Sequence, residues 1–464
     1  MKSLLKSATI SLALASVLAG CAVGASYQRP DAAMPEKWDT TATTIRNDQG
    51  SAQTFAAEWW KQFGSAELNQ LMEQSLAANH DLAAAASRIR QARASLGITS
   101  STQWPSAELS VSGGKNRNNQ SAIRTTESSQ AGITVAYEAD LWGGIAAGRK
   151  AAEARVDSSM YDRDAVALVL QSDVASNYFQ ALALKDRLAI ARKNLEAARN
   201  VLSLVELRYE KGATTGLEVS QQRTSVLNIE AQIPQLEQNL RTVQTALAVL
   251  LGRPPQGFSV QGSTLAGMQI PAVAAYQPAS LLERRPDIKR AEAQLVAANA
   301  DVNAARTALY PSLRISASSI AGGVFTSGSS LATSLAASLA QTLFDGGRLR
   351  GQVSLSQAQQ EELVQQYQQG ILTSLKEVQD SLGAVASAES RQQLLTDAAR
   401  EAQEAFRIAN VRFQSGSQDM LTLLDSQRTQ LSAEDARVQA DLARFTATID
   451  LYKALGGGWS SARG

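Results

Sequence analysis

One cysteine and one histidine in 464 residues exclude more functions than any motif in this chain suggests. With no second thiol, a disulfide within the chain is impossible. His- or Cys-rich zinc sites and a cysteine–histidine dyad are excluded for the same reason, and no loop carries the ligand spacing of a calcium site. The glycine pairs lack the lysine of a phosphate loop. No catalytic constellation of polar residues is visible, so neither an enzyme nor a metal site is expected. Basic and acidic residues number 44 and 43, a net charge of +1, which gives no electrostatic footprint for nucleic acid. Beyond residue 20 there is no apolar run of the ~18 residues that a transmembrane helix needs, so any membrane crossing must use strands. Aromatics make up only 5% of the chain, while Ala, Gln, Leu and Ser abound, a bias that suits long packed helices.

What is present begins at the N-terminus. Lys2 and Lys6 precede an apolar run from Ala8 through Leu18 and the small residues Ala19 and Gly20, the pattern of a secretion signal over residues 1–20. Leu18-Ala19-Gly20-Cys21 resembles the bacterial lipobox, in which the signal is cut before the cysteine. The resemblance implies S-diacylglycerol and N-palmitoyl groups on Cys21, and acyl chains contribute about 0.8 kcal/mol per buried CH2 to membrane attachment. An ordinary cleaved signal with an incidental cysteine is the competing reading. Ala22, which is not acidic, favours outer-membrane sorting in lipoproteins of this kind.

The chain contains a duplication. Asp81, Ala92, Ala94, Pro105, Ser106, Ser110 and Ser112 recur 206 positions later as Asp287, Ala298, Ala300, Pro311, Ser312, Ser316 and Ser318. Further along, Leu141-Trp142-Gly143-Gly144 is answered by Leu343-Phe344-Asp345-Gly346-Gly347, Arg208-Tyr209 with Gly212 by Arg412-Phe413 with Gly416, and Leu251-Gly252 by Leu455-Gly456. A fixed spacing kept over so long a span marks two copies of one unit.

Within each copy the apolar residues recur every seven positions. One series is Leu82, Ile89 and Leu96, matched by Ile288, Leu295, Val302 and Leu309; others are Val174, Ala181, Leu188, Leu195, Leu202 and Tyr209, and Leu424, Leu431, Val438, Phe445 and Tyr452. A sustained seven-residue period makes packed helices supercoil. From Ala146 to Lys211 no breaker intervenes, which at 1.5 Å per residue predicts a rod of about 100 Å. Pro234 is expected to interrupt and kink the returning helix. His80 sits at a predicted helix start, with Asn79 or Asp81 as the cap.

Residues 107–113, 132–138, 313–320 and 331–343 are Ser/Thr-rich, and the last alternates Leu331, Thr333, Leu335, Ala337 and Leu339. Alternation at period two predicts strands with one apolar face, with hairpin tips over 114–130 and 321–330; soluble loops are the competing reading. Four strands cannot close a transmembrane barrel, since barrels start at about eight and an open edge in lipid leaves backbone groups unsatisfied. If the strands cross a membrane, several chains must build the barrel.

With these features together, the chain resembles the TolC-like outer-membrane factors, specifically the NodT-type lipoprotein branch that serves tripartite efflux pumps. Tyr27-Gln28-Arg29-Pro30, Trp59-Trp60 with Phe63, Leu282-Glu283-Arg284-Arg285-Pro286-Asp287, Leu423-Leu424-Asp425-Ser426-Gln427-Arg428 and the closing Leu451-Tyr452-Lys453-Ala454-Leu455-Gly456-Gly457-Gly458-Trp459 carry the likeness. It implies an α+β membrane protein, a homotrimer in which four strands per chain close a twelve-stranded β-barrel continuous with a twelve-helix coiled-coil periplasmic tunnel. The chain would divide into a signal (1–20), an N-terminal anchor and equatorial segment (21–60), a first repeat (61–252), an equatorial linker (253–280), a second repeat (281–456) and a tail (457–464).

The resemblance places a gate at the periplasmic helix turns. Leu421 matches an apolar pore constriction and Asp425 a carboxylate ring, while Arg208, Glu218, Arg412 and Gln414 are candidates for a latch between helix pairs. Gln414 stands where some relatives carry an arginine. The implied function is a passive, gated exit duct for drugs or other toxic compounds, siderophores or metal ions, working with a periplasmic membrane-fusion adaptor and an inner-membrane pump of the RND or another type. Its implied location is the cell outer membrane, lipid-anchored and barrel-inserted. A type I protein-secretion duct and a lipid-anchored coiled-coil scaffold without a pore are the alternatives; the lipobox and the closing motif favour the small-molecule branch.

Overall fold

Seven-residue spacing becomes two pairs of long helices, and the period-two segments become one sheet. The computed structural model describes residues 24–32, 34–39, 58–118, 124–273, 277–324 and 329–459. A 3-10 turn at Trp59–Phe63 leads into α1 (Ala66–Ala78) and α2 (His80–Ser101). β1 (Ser106–Asn118) and β2 (Arg124–Ala139) follow, then α3 (Gly144–Glu210) and α4 (Gly216–Leu250). The second copy repeats the order with α5 (Pro286–Thr307), β3 (Ser312–Gly322), β4 (Ser330–Ala340), α6 (Arg348–Gln414) and α7 (Met420–Ala454). The copies match closely: α3 and α6 are each 67 residues long, and α4 and α7 each 35.

Local chemistry explains the element ends. Asn79 takes the capping role expected beside His80, its Oδ1 accepting from the Leu82 amide at 3.0 Å while its Nδ2 donates to the carbonyl of Leu250. Asp140 accepts from the amides of Ile145 and Ala146 at the start of α3, and Asp345 from Gly347 and Leu349 at the start of α6. These carboxylates satisfy amides that have no partner within the helix.

Three expectations are corrected. Pro234 does not interrupt its helix, because α4 continues through it from Gly216 to Leu250. Proline removes one N–H, but Pro234 and Glu230 lie on the exposed face, where water can serve the freed carbonyl. The first hairpin is longer than the alternation suggested: pairing continues through Gly114↔Ser128 and Lys115↔Glu127, the latter joined by a 2.6 Å ion pair. β4, in turn, ends at Ala340 rather than Leu343, because its ladder partner β3 begins at Ser312, opposite Ala340.

The chain packs as two compact units, and neither is a sequence repeat. One comprises Met1–Ala32, Ala86–Tyr161 and Lys289–Gln369; the other comprises Ala33–Ala85, Asp162–Ile288 and Gly370–Gly464. In the first, the sheet runs β1-β2-β3-β4, antiparallel throughout. The segment from Ala25 to Arg29 lies along α5: Arg29 grips Glu292 at 2.6 and 3.0 Å, and Asn299 and Asn303 donate to the Ala25 carbonyl.

The second unit holds an aromatic cluster. Trp59 stacks on Tyr452 at 5.0 Å, Phe63 meets Phe179 at 5.0 Å, and Phe179 stacks on Phe445 at 4.5 Å. Residues 260–265 are fastened here. Lys185 donates to the carbonyls of Val260 and Gly262, Asp186 accepts from the Leu265 amide, and Glu67 accepts from the amides of Gln261 and Gly262. Most of the seven-residue series are core: Val174, Ala181, Leu188, Leu195, Val438, Phe445 and Tyr452 are buried.

Candidate functional site

The sheet has two chemically opposite faces, kept in phase across all four strands by the register. Leu109 lies opposite Ile133, Tyr137 opposite Ile315, Leu313 opposite Leu339, and Ala317 opposite Leu335. Register partners in an antiparallel pair share a face, so all these apolar side chains stand on one side. On the other side Glu108 lies opposite Thr134, Glu138 opposite Arg314, and Ser318 opposite Ser334, whose hydroxyls meet at 2.8 Å. The apolar face is exposed to solvent, with Leu109, Leu331, Leu335 and Leu339 among its uncovered residues. A sheet this apolar and this exposed fits a lipid environment, with its polar side lining water.

The apolar face ends where charge appears on it, at the Lys115–Glu127 pair. From Ala107 to Lys115 the strand climbs roughly 26 Å at ~3.3 Å per residue. A tilt of about 40° reduces this to roughly 20 Å along a membrane normal, close to the apolar band of outer-membrane barrels.

The second candidate region is the pair of helix turns. Gly212 and Gly416 both adopt positive φ, at 72° and 79°. At each turn the glycine amide donates to the carbonyl three residues back and the next amide donates five back: Gly212 to Tyr209 and Ala213 to Arg208, Gly416 to Phe413 and Ser417 to Arg412. This pattern satisfies the last helical carbonyls, and glycine supplies the left-handed residue at no steric cost. Asp419 caps α7, accepting from the Thr422 amide at 2.8 Å. That bond, with a second from the Thr422 hydroxyl, holds its carboxyl below the usual carboxylate range.

Val201, Val205, Val219, Ala409, Phe413, Met420 and Leu423 are buried together behind these turns. Farther from them, polar groups enter the helix seam. Gln222 donates to the Ala198 carbonyl at 2.8 Å, and Glu434 accepts from Asn194 at 2.9 Å and Gln430 at 3.1 Å. Beside the turns, α4 and α7 enclose a groove of about 890 Å³ to which Leu421, Leu424, Asp425 and Arg428 contribute.

The family model for outer membrane efflux proteins matches residues 71–253 and 278–457, the two copies in turn. The chain belongs to this outer membrane efflux protein family. It is 39% identical over 448 residues to the pyoverdine export outer membrane protein OpmQ of Pseudomonas aeruginosa, covering 93% of this chain and 92% of that one. It is 31% identical over 455 residues to the solvent efflux pump outer membrane protein SrpC of Pseudomonas putida, covering 96% and 97%. Among solved structures, the outer-membrane channel OprN superposes with a TM-score of 0.85 at 30% identity over 95% of this chain and 100% of that one. The CmeC outer membrane channel of Campylobacter jejuni matches in fold, with a TM-score of 0.86 at 21% identity over 96% of each chain. The protein is therefore the outer-membrane component of an efflux system, with the helix-and-sheet fold of TolC-like channels.

Within this efflux channel, the sequence-predicted residues fall as follows. Leu421 and Asp425 are one turn apart on α7, both exposed and both on the groove. Asp425 accepts from Arg428 at 2.7 Å, so the carboxylate carries its own counter-charge. Arg208 reaches the end of α6. Its guanidinium donates to the carbonyls of Phe413 and Gln414 at 3.0 and 2.9 Å and lies 4.7 Å over the Phe413 ring.

Glu218 lies in the first turn of α4, where the helix dipole favours a carboxylate. Arg412 is the counterpart of Arg208 in copy two, and its carbonyl accepts from Ser415 and Ser417. Gln414 meets Arg208 through its main chain, and its side chain donates to Asn410 at 3.4 Å. Cys21 lies outside the described residues. The sequence reading missed Glu138 facing Arg314 and the buried polar seam, although Met420, Gln427, Glu434 and Asp441 recur every seven residues and signal that seam.

Proposed function

We propose that this protein is a passive, gated duct through which small molecules leave the periplasm. Three copies would close a twelve-stranded barrel and a periplasmic tunnel, docked to an adaptor and an inner-membrane pump. The two-faced sheet carries this reading: four strands with one apolar face need more strands to close, and their Ser/Thr/Glu/Arg face needs water. No fuel site is required of a conduit, and opening follows from a partner that binds the open tip better than the closed one.

Leu421 and Asp425 form the constriction, Asp425 as a ring of carboxylates each neutralised in part by Arg428. The Arg208 contact with the end of α6 holds the tip closed. Cys21 carries the lipid. Gly24 packs against Asn303 near the end of α5, which leads directly into β3. This supports an anchor at the foot of the barrel.

The proposed cargo is a small molecule of the kind that the relatives' names describe, such as a siderophore or a toxic organic compound. Deleting the gene should raise sensitivity to such compounds or retain a siderophore in the periplasm, and the full chain should restore export. Unchanged sensitivity and unchanged siderophore release across a broad panel would overturn the reading.

A further inference from the structure

The apolar side of the sheet ends in two different ways. Toward the foot, where the strands meet the helices, it carries Tyr137 and Leu313, while the charged Glu138 and Arg314 stand on the opposite, watery side. Trp104 and Phe344 lie exposed just outside β1 and β4. Aromatic rings without charge suit a membrane interface. At the hairpin end the order is reversed. Lys115 and Arg117 share the face of Leu109 and Val111, because alternate residues of a strand point the same way. The water-side positions beside them, Gly114, Asn116 and Ser128, are uncharged.

This cationic end is also where the first hairpin outgrows the second. β3 and β4 stop at the row Gln130–Gly322–Ser330, whereas β1 and β2 continue as a two-stranded ribbon to Asn118 and Arg124. Along the strand, Lys115 stands roughly 10 Å above that row and Arg117 roughly 7 Å farther, at ~3.3 Å per residue. Both side chains are exposed. Lys115 pairs with Glu127 across the ribbon, but the two side chains are 67% and 56% accessible. A pair so open to water is weak, and the ammonium keeps further N–H donors for another anion. Just where the apolar band stops, the same face thus sets two cations against one carboxylate.

We propose that Lys115 and Arg117 dock the phosphate groups of a phosphorylated glycolipid in the outer leaflet of the membrane. The level fits a headgroup, since it begins where the apolar side chains end. The chemistry fits phosphate: Arg117 offers a planar fork for two phosphate oxygens, and Lys115 adds a compact charge beside it. The facing fits a lipid rather than cargo, because both cations stand outside the duct. Clustered cations beside an apolar membrane segment recognise anionic headgroups in this way. The uncharged aromatic end lies against the other leaflet, so the two ends match an asymmetric bilayer. The inference rests on the lipid-facing reading of the apolar side given above and adds the lipid class that its rim selects.

The test titrates the full-length channel in mild detergent with diphosphorylated lipid A, with the same lipid after removal of its phosphates, and with inorganic phosphate. The temperature at which the oligomer dissociates is measured. Diphosphorylated lipid A should raise it by several degrees, since a ligand of the assembled state stabilises that state. The other two additions should leave it unchanged. Lys115→Gln with Arg117→Gln should lose most of the rise, and Lys115→Arg with Arg117→Lys should keep it. A rise undiminished in the glutamine double variant, or one equally large with the dephosphorylated lipid, would overturn the site. A rise with inorganic phosphate alone would overturn the lipid as its occupant. Arg314→Gln, on the watery side, should retain the full rise. If Arg314→Gln loses it while the glutamine double variant does not, the facing is reversed and the duct reading falls as well; a rise kept by both variants removes the rim site alone.

Discussion

The guanidinium of Arg208 lies 4.7 Å over the ring of Phe413 and donates to that residue's carbonyl oxygen at 3.0 Å. The two residues come from different copies and sit where each copy's long helix ends. A cation at the C-terminus of α6 interacts favourably with the helix dipole and satisfies carbonyls that have no partner within the helix. The contact therefore ties the two helical hairpins together at their turns.

Arg208→Ala should loosen the tip. It removes charge-assisted bonds worth about 1.5–3 kcal/mol in favourable settings and a cation–π contact worth about 0.5–1 kcal/mol, less at this partly exposed site. The expected result is a higher resting conductance in planar bilayers; conductance equal to that of the unsubstituted channel would show that Arg208 does not hold the gate.

Gln414 reaches Arg208 only through its carbonyl, so Gln414→Ala should leave resting conductance within about twofold, as surface changes usually do. Gln414→Arg adds a second cation at the turn and should lower it. Equal conductance for both variants would remove position 414 from the gate.

The Asp425–Arg428 pair is exposed, with side chains 69% and 81% accessible. Arg428→Gln would free the carboxylates, and three of them brought together should bind cations more strongly. Block by added divalent cations should then appear at lower concentration, and Asp425→Asn should abolish that block. Block that survives Asp425→Asn would place the cation site elsewhere.

The two faces of the sheet predict opposite outcomes for neighbouring residues. Leu335→Arg puts a charge on the lipid side at a cost of about 2–4 kcal/mol near the bilayer centre and should reduce assembled channel in the outer membrane. Ser334→Arg, on the watery side, should assemble normally and alter conductance. Equal assembly of the two variants would reverse the facing.

Arg285 is buried and bridges Asp287 at 2.7 Å, Glu377 at 2.7 Å and the Ala454 carbonyl at 3.1 Å. Burial pushes the Asp287 carboxyl up, but the hydrogen bond and charge of Arg285 outweigh it and leave the group below the usual carboxylate range. A depressed folded pKa contributes stability above the unfolded value near 4, and that stability disappears as pH falls through the folded value. Asp287→Asn should therefore lower the unfolding temperature by several degrees at pH 7 and narrow the gap between variant and parent as pH drops below about 4. A gap that widens in acid would contradict the sign.

Cys21→Ser behind a different cleavable signal should leave channels that still form, since barrel closure offers a second membrane attachment. Loss of oligomer from the outer membrane would make the lipid essential.

Much of this protein was legible in its residues. The seven-residue series specified long helices because a 3.6-residue turn repeats its buried face about every second turn, and the period-two runs specified strands whose apolar side is continuous. The matching Arg-x-x-x-Gly turns announced a duplication, and the lone Cys21 removed disulfides and thiol chemistry from consideration. Local pattern could not say where pairing stops. That depends on which backbone lies alongside: β1 and β2 run past their apolar stretch because each supports the other, and β4 stops at Ala340 because its partner begins at Ser312.

Only the tertiary structure decided that Arg208 bonds to the carbonyls of α6, that Asp425 carries Arg428 beside it, and that Pro234 stays within its helix. Each is a matter of which group reaches which across a packed seam, at separations in sequence that no local spacing encodes. The sequence set the periods and the two copies, whereas the packing set which polar groups meet and which apolar ones, Trp104 and Phe344 among them, are left uncovered in the single chain.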